Sequence, residues 1–352
     1  MSCIGKKEHN FSPVNYSLEQ WRLKMDEWNE KAFRGNQIYE YLHRSYGLGI
    51  NEWNRLPKSL RDKLSELDIP KVVIEDKYVS DIDGTIKYLY KLYDDSYIEG
   101  VLMKYKYGYT LCVSTQVGCA MGCSFCASTK GGKQRDLEAY EILGQIYSVE
   151  IEEDISISHV VLMGMGEPLD NWDHVKRFME ILASKEGKNM SYRNMTVSTC
   201  GVVPGIEALA EWGKPVTLAI SLHGTNDSER NEIMPINRKY PIDELMKTVD
   251  RYTNATGRRV SFEFTVIPGY NDSMESMDRL ADLLSKKLCH VNLIPLNPIE
   301  EFNKGKQKSI SIYKLADYLE KKNIQTSVRR TLGPDIDASC GQLRQRKVKG
   351  RN

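Results

Sequence analysis

Between residues 111 and 329 the chain alternates strand-like and helix-like patterns, and this alternation restricts the fold more than any other feature. Short β-branched and apolar runs predict strands at 111–115, 158–163, 194–199, 216–222, 259–267 and 289–295, with a late strand near 324–329. Apolar residues at helical spacing predict helices at about 136–150, 171–184, 204–212, 241–256, 273–287 and 311–321. Repeated units of this length imply an α/β domain with a parallel sheet, either doubly wound or an incomplete (β/α) barrel. The position of the unusual polar groups favours the barrel. Cysteines follow the first strand, Gly164-Met-Gly-Glu-Pro168 the second and Ser198-Thr-Cys-Gly201 the third; Ser221-Leu-His223 lies on the fourth, and Asn297 follows the sixth. Barrel enzymes assemble their sites at that end of the strands.

The stretch before the alternation has two other periods. Leu18, Trp21 and Met25, then Ile38 and Leu42, then Leu56, Leu60 and Leu64 recur at helical spacing. Ile82-Asp83-Gly84-Thr85 is a hairpin turn leading into alternating strand residues. The expected division is a helical accessory domain at 1–70, an antiparallel β meander at 71–110, the partial barrel at 111–333, and a loop with a basic tail at 334–352.

The loop after the first barrel strand reads Thr115-Gln-Val-Gly-Cys-Ala-Met-Gly-Cys-Ser-Phe-Cys126. Cys119, Cys123 and Cys126 can wrap three corners of a cubane iron–sulfur cluster, and no fourth cysteine lies nearby for the last iron. An open coordination position is usually where metal chemistry occurs. Phe125 supplies an apolar wall against solvent. A zinc site usually takes paired Cys-x-x-Cys elements, and no second pair follows. A disulfide framework does not suit a long chain without a secretory signal.

A hydrophobic content of 41% and a charged content of 28% describe an ordinary soluble globular protein. Neither a secretory signal nor a run of about 18 apolar residues is present, so a cytoplasmic location with no membrane contact is expected. Most of the eight cysteines would stay reduced there, and any disulfide would be transient. A net charge of +1 does not mark a nucleic-acid binder by itself. Two basic segments point weakly to phosphate: the tail from Gln342 onward, and Lys130-Gly-Gly-Lys-Gln-Arg135 beside the cysteine loop.

The pattern Cys-x-x-x-Cys-x-aromatic-Cys resembles the signature of the radical S-adenosylmethionine (SAM) superfamily. The resemblance narrows with Leu111-Cys-Val-Ser-Thr-Gln-Val-Gly-Cys119, Met163-Gly-Met-Gly-Glu-Pro168, Met234-Pro-Ile-Asn237 and Asp335-Ile-Asp-Ala-Ser-Cys-Gly-Gln-Leu343. These runs, with Phe33-Arg34-Gly-Asn-Gln-Ile38, resemble the RlmN/Cfr group of radical-SAM RNA methyltransferases from about residue 16 to 343. The cysteine loop and the helical N-terminal unit look closer to the RlmN branch.

That resemblance implies a 4Fe–4S cluster on Cys119, Cys123 and Cys126, and two molecules of SAM per turnover. Gly166 and Glu167 look like the turn that binds the SAM amino group, and Ser198, Ser221, Leu222, His223 and Asn297 match further SAM contacts. His223 could equally be a satisfied core histidine. Cys340, in a loop expected to be mobile, would accept a methyl group from one SAM. A 5′-deoxyadenosyl radical from the second would activate that S-methyl group for addition to adenine. Glu99 matches the proton acceptor, although a strand glutamate alone would read as an exposed surface residue. Cys112 would then attack the Cys340 sulfur, releasing the methylated base and leaving a transient disulfide.

The implied substrates are 23S rRNA and the anticodon loop of tRNAs, methylated at adenine C2. A flavodoxin-type electron donor and a monomeric state are implied as well. Ala127-Ser-Thr in place of the commoner Ala-Thr-Gly, and Ser339 where Ala is usual, leave the C8-methylating sister branch open. A reading from another class, an iron–sulfur RNA-binding protein without turnover, needs neither the Cys112/Cys340 pair nor Gly166-Glu167.

Overall fold

Three short helices open the computed structural model, which describes residues 12–45, 49–67, 71–296 and 310–336. They are α1 (Leu18–Glu27), α2 (Phe33–Arg44) and α3 (Lys58–Ser65). Ser17 starts α1 with a reciprocal cap: its hydroxyl accepts from Gln20 N at 3.1 Å, while the Gln20 side chain accepts from Ser17 N at 2.8 Å. Trp21, Met25, Ile38, Leu60 and Leu64 are fully buried, so the apolar stripes of these helices join the main core.

Four antiparallel strands come next: β1 (Val73–Val79), β2 (Ile86–Lys91), β3 (Tyr97–Tyr105) and β4 (Gly108–Cys112). Register places Lys87 opposite Val101 and Leu89 opposite Glu99 across β2 and β3, and Val101 opposite Cys112 across β3 and β4. A two-stranded ribbon of β5 (Gln116–Val117) and β6 (Arg135–Asp136) brackets the cysteine loop.

Strand–helix units then follow: α4 (Ala139–Glu153), β7 (Ile157–Leu162), α5 (Trp172–Ala183), β8 (Met195–Thr199), α6 (Val203–Trp212), β9 (Thr217–Ser221), α7 (Asp227–Ile233), α8 (Ile242–Thr256), β10 (Val260–Val266), α9 (Met274–Leu284), β11 (Cys289–Pro295), α10 (Ile312–Lys321) and β12 (Thr326–Val328). The main sheet has the order β1-β2-β3-β4-β7-β8-β9-β10-β11-β12, parallel from β4 onward. Each new parallel strand adds at the same edge. Crossovers of one hand therefore wind the sheet in one direction, the arrangement of a barrel rather than of a doubly wound sheet. The meander occupies the outer edge of β4, which leaves the barrel incomplete.

Two expectations shift. The first barrel strand ends at Cys112 instead of 115, because Ser114 N donates to the Gln145 side chain (2.9 Å) and Thr115 N to Met165 O (2.8 Å). The helix α7 was not foreseen, since seven residues are too few to show a period; Asn226 caps it by accepting from Glu229 N at 2.9 Å. No helix among the described residues is long and apolar enough to cross a membrane.

Candidate active site

The cysteine loop leaves β5 through Gly118, whose φ of +82° suits glycine; a Cβ there would lie 1.9 Å from the Gly132 carbonyl oxygen. Ser124 N donates to Ile233 O at 3.0 Å, tying the loop to the end of α7. Cys119 and Cys123 are buried and Cys126 half-buried. All three line a cavity of about 290 Å³ at the C-terminal ends of the strands, with Gly166, Glu167, Ser198, Ser221 and His223 around it. Burial raises the Cys119 thiol to about 12 and pushes Cys123 up as well, so loading a metal there must release protons.

Glu167 is fixed by the backbone. Its Oε1 accepts from Leu169 N (3.1 Å) and its Oε2 from Cys200 N (2.8 Å), while its own N–H donates to Gln116 Oε1 (2.9 Å). Gly166 lets this turn close on Gln116: φ is +107°, and a Cβ would meet the Gln116 Cβ at 2.6 Å. Burial raises the Glu167 pKa, against the lowering effect of those N–H donors. The Thr199 and Cys200 side chains also hydrogen-bond to this carboxylate, which borders the cavity.

His223 has a defined proton. Its Nδ1 lies 2.9 Å from Thr265 N, a donor only, so the lone pair sits on Nδ1 and the neutral ring carries hydrogen on Nε2. Burial first, and the Arg230 charge second, lower its pKa to about 3. Its ring meets Phe125 edge-on, with centroids 4.9 Å apart. His223 is thus both a packed histidine and part of the cavity wall.

Three of the remaining expected residues lie within the described structure, each in a different place. Leu222 is fully buried in the core, and its backbone N donates to Glu263 O. Cys112 lies on the neighbouring barrel wall with Val101, Met103, Met163 and Leu332, and Met163 also lines the cavity. Glu99 is buried, with Oε2 3.0 Å from Lys87 Nζ, which overturns the picture of an exposed strand glutamate. Asn297 and Cys340 lie outside the described residues.

Two of the three cations in the basic segment beside the loop are taken up by carboxylates of the fold. Lys133 pairs with Asp136 and Asp170, each at 2.9 Å, and Arg135 pairs with Asp94 and Glu141, each at 2.7 Å. The carboxylates that neutralise them are distant in sequence or look like ordinary helix starts.

Arg230 escaped the sequence reading. It is fully buried and donates to the carbonyls of Leu222 (3.1 Å), Cys200 (2.5 Å) and Ser221 (3.2 Å), and to Asn237 Oδ1 (2.8 Å). One guanidinium therefore joins the ends of β8 and β9, and Asn237 explains the Met234-Pro-Ile-Asn237 run. Glu263, Thr265 and Arg329 also line the cavity without having been foreseen.

The donor set fits an iron–sulfur cubane. Among the described residues no group of three His, Cys, Asp or Glu side chains converges as ligands of one metal ion. The three thiols border a shared cavity instead, as required when each thiolate takes a different iron. Phe125, Met234 and Ile267 pack around Cys123 on the apolar side.

Such a partial barrel, with three thiols at its open end and a glycine–glutamate turn beside them, defines a radical-SAM enzyme, and the sequence pattern of the radical SAM superfamily matches residues 113–281. A crystal structure of a radical SAM methyltransferase from Sphaerobacter thermophilus superposes with a TM-score of 0.89 at 39% identity, covering 95% of this chain and 99% of that one. Proteins described as probable dual-specificity RNA methyltransferase RlmN are similar along nearly the whole length. The one from Alkaliphilus oremlandii is 47% identical over 95% of this chain and 98% of its own. The one from Lachnoclostridium phytofermentans is 44% identical over 94% and 93%. The chain belongs to the RlmN family of radical-SAM RNA methyltransferases. It is a SAM-dependent enzyme that methylates RNA, and its cofactors are a 4Fe–4S cluster and SAM.

Proposed function

We propose that this enzyme methylates C2 of an adenosine in 23S rRNA and of an anticodon-loop adenosine in tRNAs, by way of an S-methylated Cys340. The observation that carries this reading is the buried thiol of Cys112 on the barrel wall, packed against Leu332, eight residues before Cys340. The segment leading to Cys340 is anchored nearby. Asp335 accepts from the Ser80 hydroxyl (2.6 Å) and from Asp81 N (2.9 Å), and Gly333 N donates to Asp83 (3.0 Å). Five further residues span at most about 17 Å, so Cys340 has a short tether.

Bound SAM and the cluster supply the methyl group and the radical that activates it. Cys119, Cys123 and Cys126 hold the cluster. Gly166 and Glu167 hold the SAM ammonium, with Ser198, Ser221, His223 and the backbone of Leu222 along the rest of the molecule, and Asn297 completing the set. The His223 Nε2–H is a donor whatever the pH of the cell.

Cys340 carries the methyl carbon to the base, which becomes joined to the protein through sulfur and methylene. The adduct then gives up one electron, which the cluster would take back, and one proton from C2, which Glu99 accepts while Lys87 holds its carboxylate in place. Cys112 attacks the Cys340 sulfur and the sulfur–carbon bond breaks. Its electron pair goes to the methylene carbon, which takes a proton and becomes the new methyl group, while a Cys112–Cys340 disulfide remains to be reduced. A flippable or looped-out adenosine is required for access. A flavodoxin-type electron donor, a monomeric state and a cytoplasmic location complete the reading.

Mass spectrometry of adenosines from rRNA and tRNA tests it, in a host lacking the chain and again after the chain is restored. Appearance of 2-methyladenosine in both RNAs is expected. Finding 8-methyladenosine alone assigns the chain to the C8 chemistry, and finding neither favours a binding protein without turnover.

A further inference from the structure

We propose that the hairpin joining β3 to β4, Lys104-Tyr105-Lys106-Tyr107, is a stacking platform for the single-stranded RNA flanking the target adenosine. This rests on the RNA-methylating reading and adds the surface that receives the substrate. The Tyr107 ring lies parallel to that of Tyr105, with centroids 5.0 Å apart and planes 8° apart, and His159 meets it edge-on at 4.8 Å. Yet Tyr107 is 61% exposed. Its neighbours orient the ring and solvent covers the rest, which is the arrangement on which an unpaired base stacks.

Lys104 and Lys106 flank the rings, and both are exposed. Among the described residues neither has a carboxylate partner. Lys104 Nζ instead lies over the Tyr109 ring, 5.7 Å from its centroid. Lys133 and Arg135, two of the three cations in the segment after the cysteine loop, are paired with carboxylates within the fold. The hairpin therefore offers phosphate two exposed cations that no described carboxylate holds.

The platform is continuous with the reactive wall. Tyr105 Oη lies 3.7 Å from Met103 Sδ, and Met103 packs in one cluster with Cys112, Met163 and Leu332. The cations Arg329, which lines the cysteine cavity, and Arg330 act electrostatically on the Tyr105 hydroxyl. Five residue steps along β4 lead from Tyr107 to Cys112, roughly 17 Å of strand. An RNA strand with its adenosine at Cys112 can lay neighbouring bases on Tyr107 and their phosphates beside the two lysines. An acidic reductase could also meet the lysines, but an oriented, open aromatic face suits a nucleobase.

The test titrates cluster-loaded protein into a fluorescent RNA stem–loop carrying an unpaired adenosine, at several salt concentrations. Tyr107→Ala is expected to weaken binding about ten-fold, within the range for loss of one stacked base, and Tyr107→Trp to retain it. Lys104→Gln with Lys106→Gln is expected to lower the salt slope by about 1.4, at ~0.7 per phosphate on a single strand. Cluster absorbance and thermal midpoint should stay at wild-type values throughout. Affinity and salt slope that match wild type in every variant overturn the platform. Intact RNA affinity, with turnover lost only when a protein reductant replaces dithionite, overturns it in favour of a reductase surface. A wild-type protein that neither binds nor methylates the RNA overturns the underlying reading instead.

Discussion

Lys87 Nζ lies 3.0 Å from Glu99 Oε2 on adjacent strands, with both side chains buried. The pair faces the same side of the sheet as Val101, which is opposite both Lys87 on β2 and Cys112 on β4. The carboxylate proposed to accept a proton from the base is thereby held in position by a fixed ammonium. Removing one partner of a buried pair strands the other charge. Lys87→Met should therefore destabilise the protein by about 3–5 kcal/mol in urea unfolding. Lys87→Met with Glu99→Gln should recover much of that loss while remaining slow in methylation by about 10²–10⁴-fold, the usual worth of a positioned proton acceptor. A stable double variant with normal turnover would remove Glu99 from the reaction.

The two cysteines outside the cluster loop should fail differently. Cys340→Ala has no methyl carrier, so no protein–RNA adduct can form. Cys112→Ala retains the carrier but lacks the thiol that cleaves the bond, so a denaturation-resistant adduct should accumulate. Gel mobility after incubation with SAM, a reductant and substrate RNA reads both outcomes. An adduct from Cys340→Ala, or none from a folded, cluster-loaded Cys112→Ala, would exchange or abolish these roles.

Replacing any of Cys119, Cys123 or Cys126 with Ala should abolish the visible absorption of the reconstituted protein and its cleavage of SAM. Chelation of iron from the wild type should do the same. A triple variant with a full complement of iron and sulfide would refute the ligand set.

Arg230 is a buried cation whose hydrogen bonds go to three carbonyls and an amide oxygen. Arg230→Met leaves those acceptors without their donor, and each unsatisfied buried group costs about 1–3 kcal/mol, so a lower thermal midpoint is expected. Loss of positive charge near Cys123 should also make the midpoint potential of the bound cluster more negative. An unchanged potential in a cluster-loaded variant would limit Arg230 to holding the strand ends.

His43 links stability to pH. It is fully buried beside Tyr39, its Nδ1 is 2.9 Å from Tyr147 Oη, and burial, with a smaller contribution from Arg177, lowers its pKa to about 3. The unfolded chain protonates this ring near its ordinary 6.5 whereas the folded chain does not, so unfolding takes up a proton between those values. Stability should fall as pH drops from about 6.5 toward 3, with a contribution of about 1.4 kcal/mol per pH unit from this residue. Urea unfolding of His43→Phe across that interval should show a correspondingly shallower slope.

The alternation of strands and helices, the cysteine spacing and the glycine–glutamate turn were all visible in the amino-acid order. They depend on contacts between residues a few positions apart: a period of two or 3.6, or three thiols in one loop. Sequence order alone placed Cys119, Cys123, Cys126, Gly166, Glu167, Ser198, Ser221 and His223 at strand ends, and parallel winding brings those ends around one cavity. What the chain order could not express was pairing across distant segments. Nothing near Glu99 announces that Lys87 will be buried against it, because that depends on the register of two antiparallel strands. Arg230 looked like one more charge in a short polar helix, and only the approach of β8 and β9 turned it into a buried junction. Lys133 and Arg135 read as free charge until Asp170 and Asp94 folded against them. Charge and burial belong to surroundings in three dimensions, so local pattern could name the reactive groups while the tertiary structure decided which of them are held, neutralised or exposed.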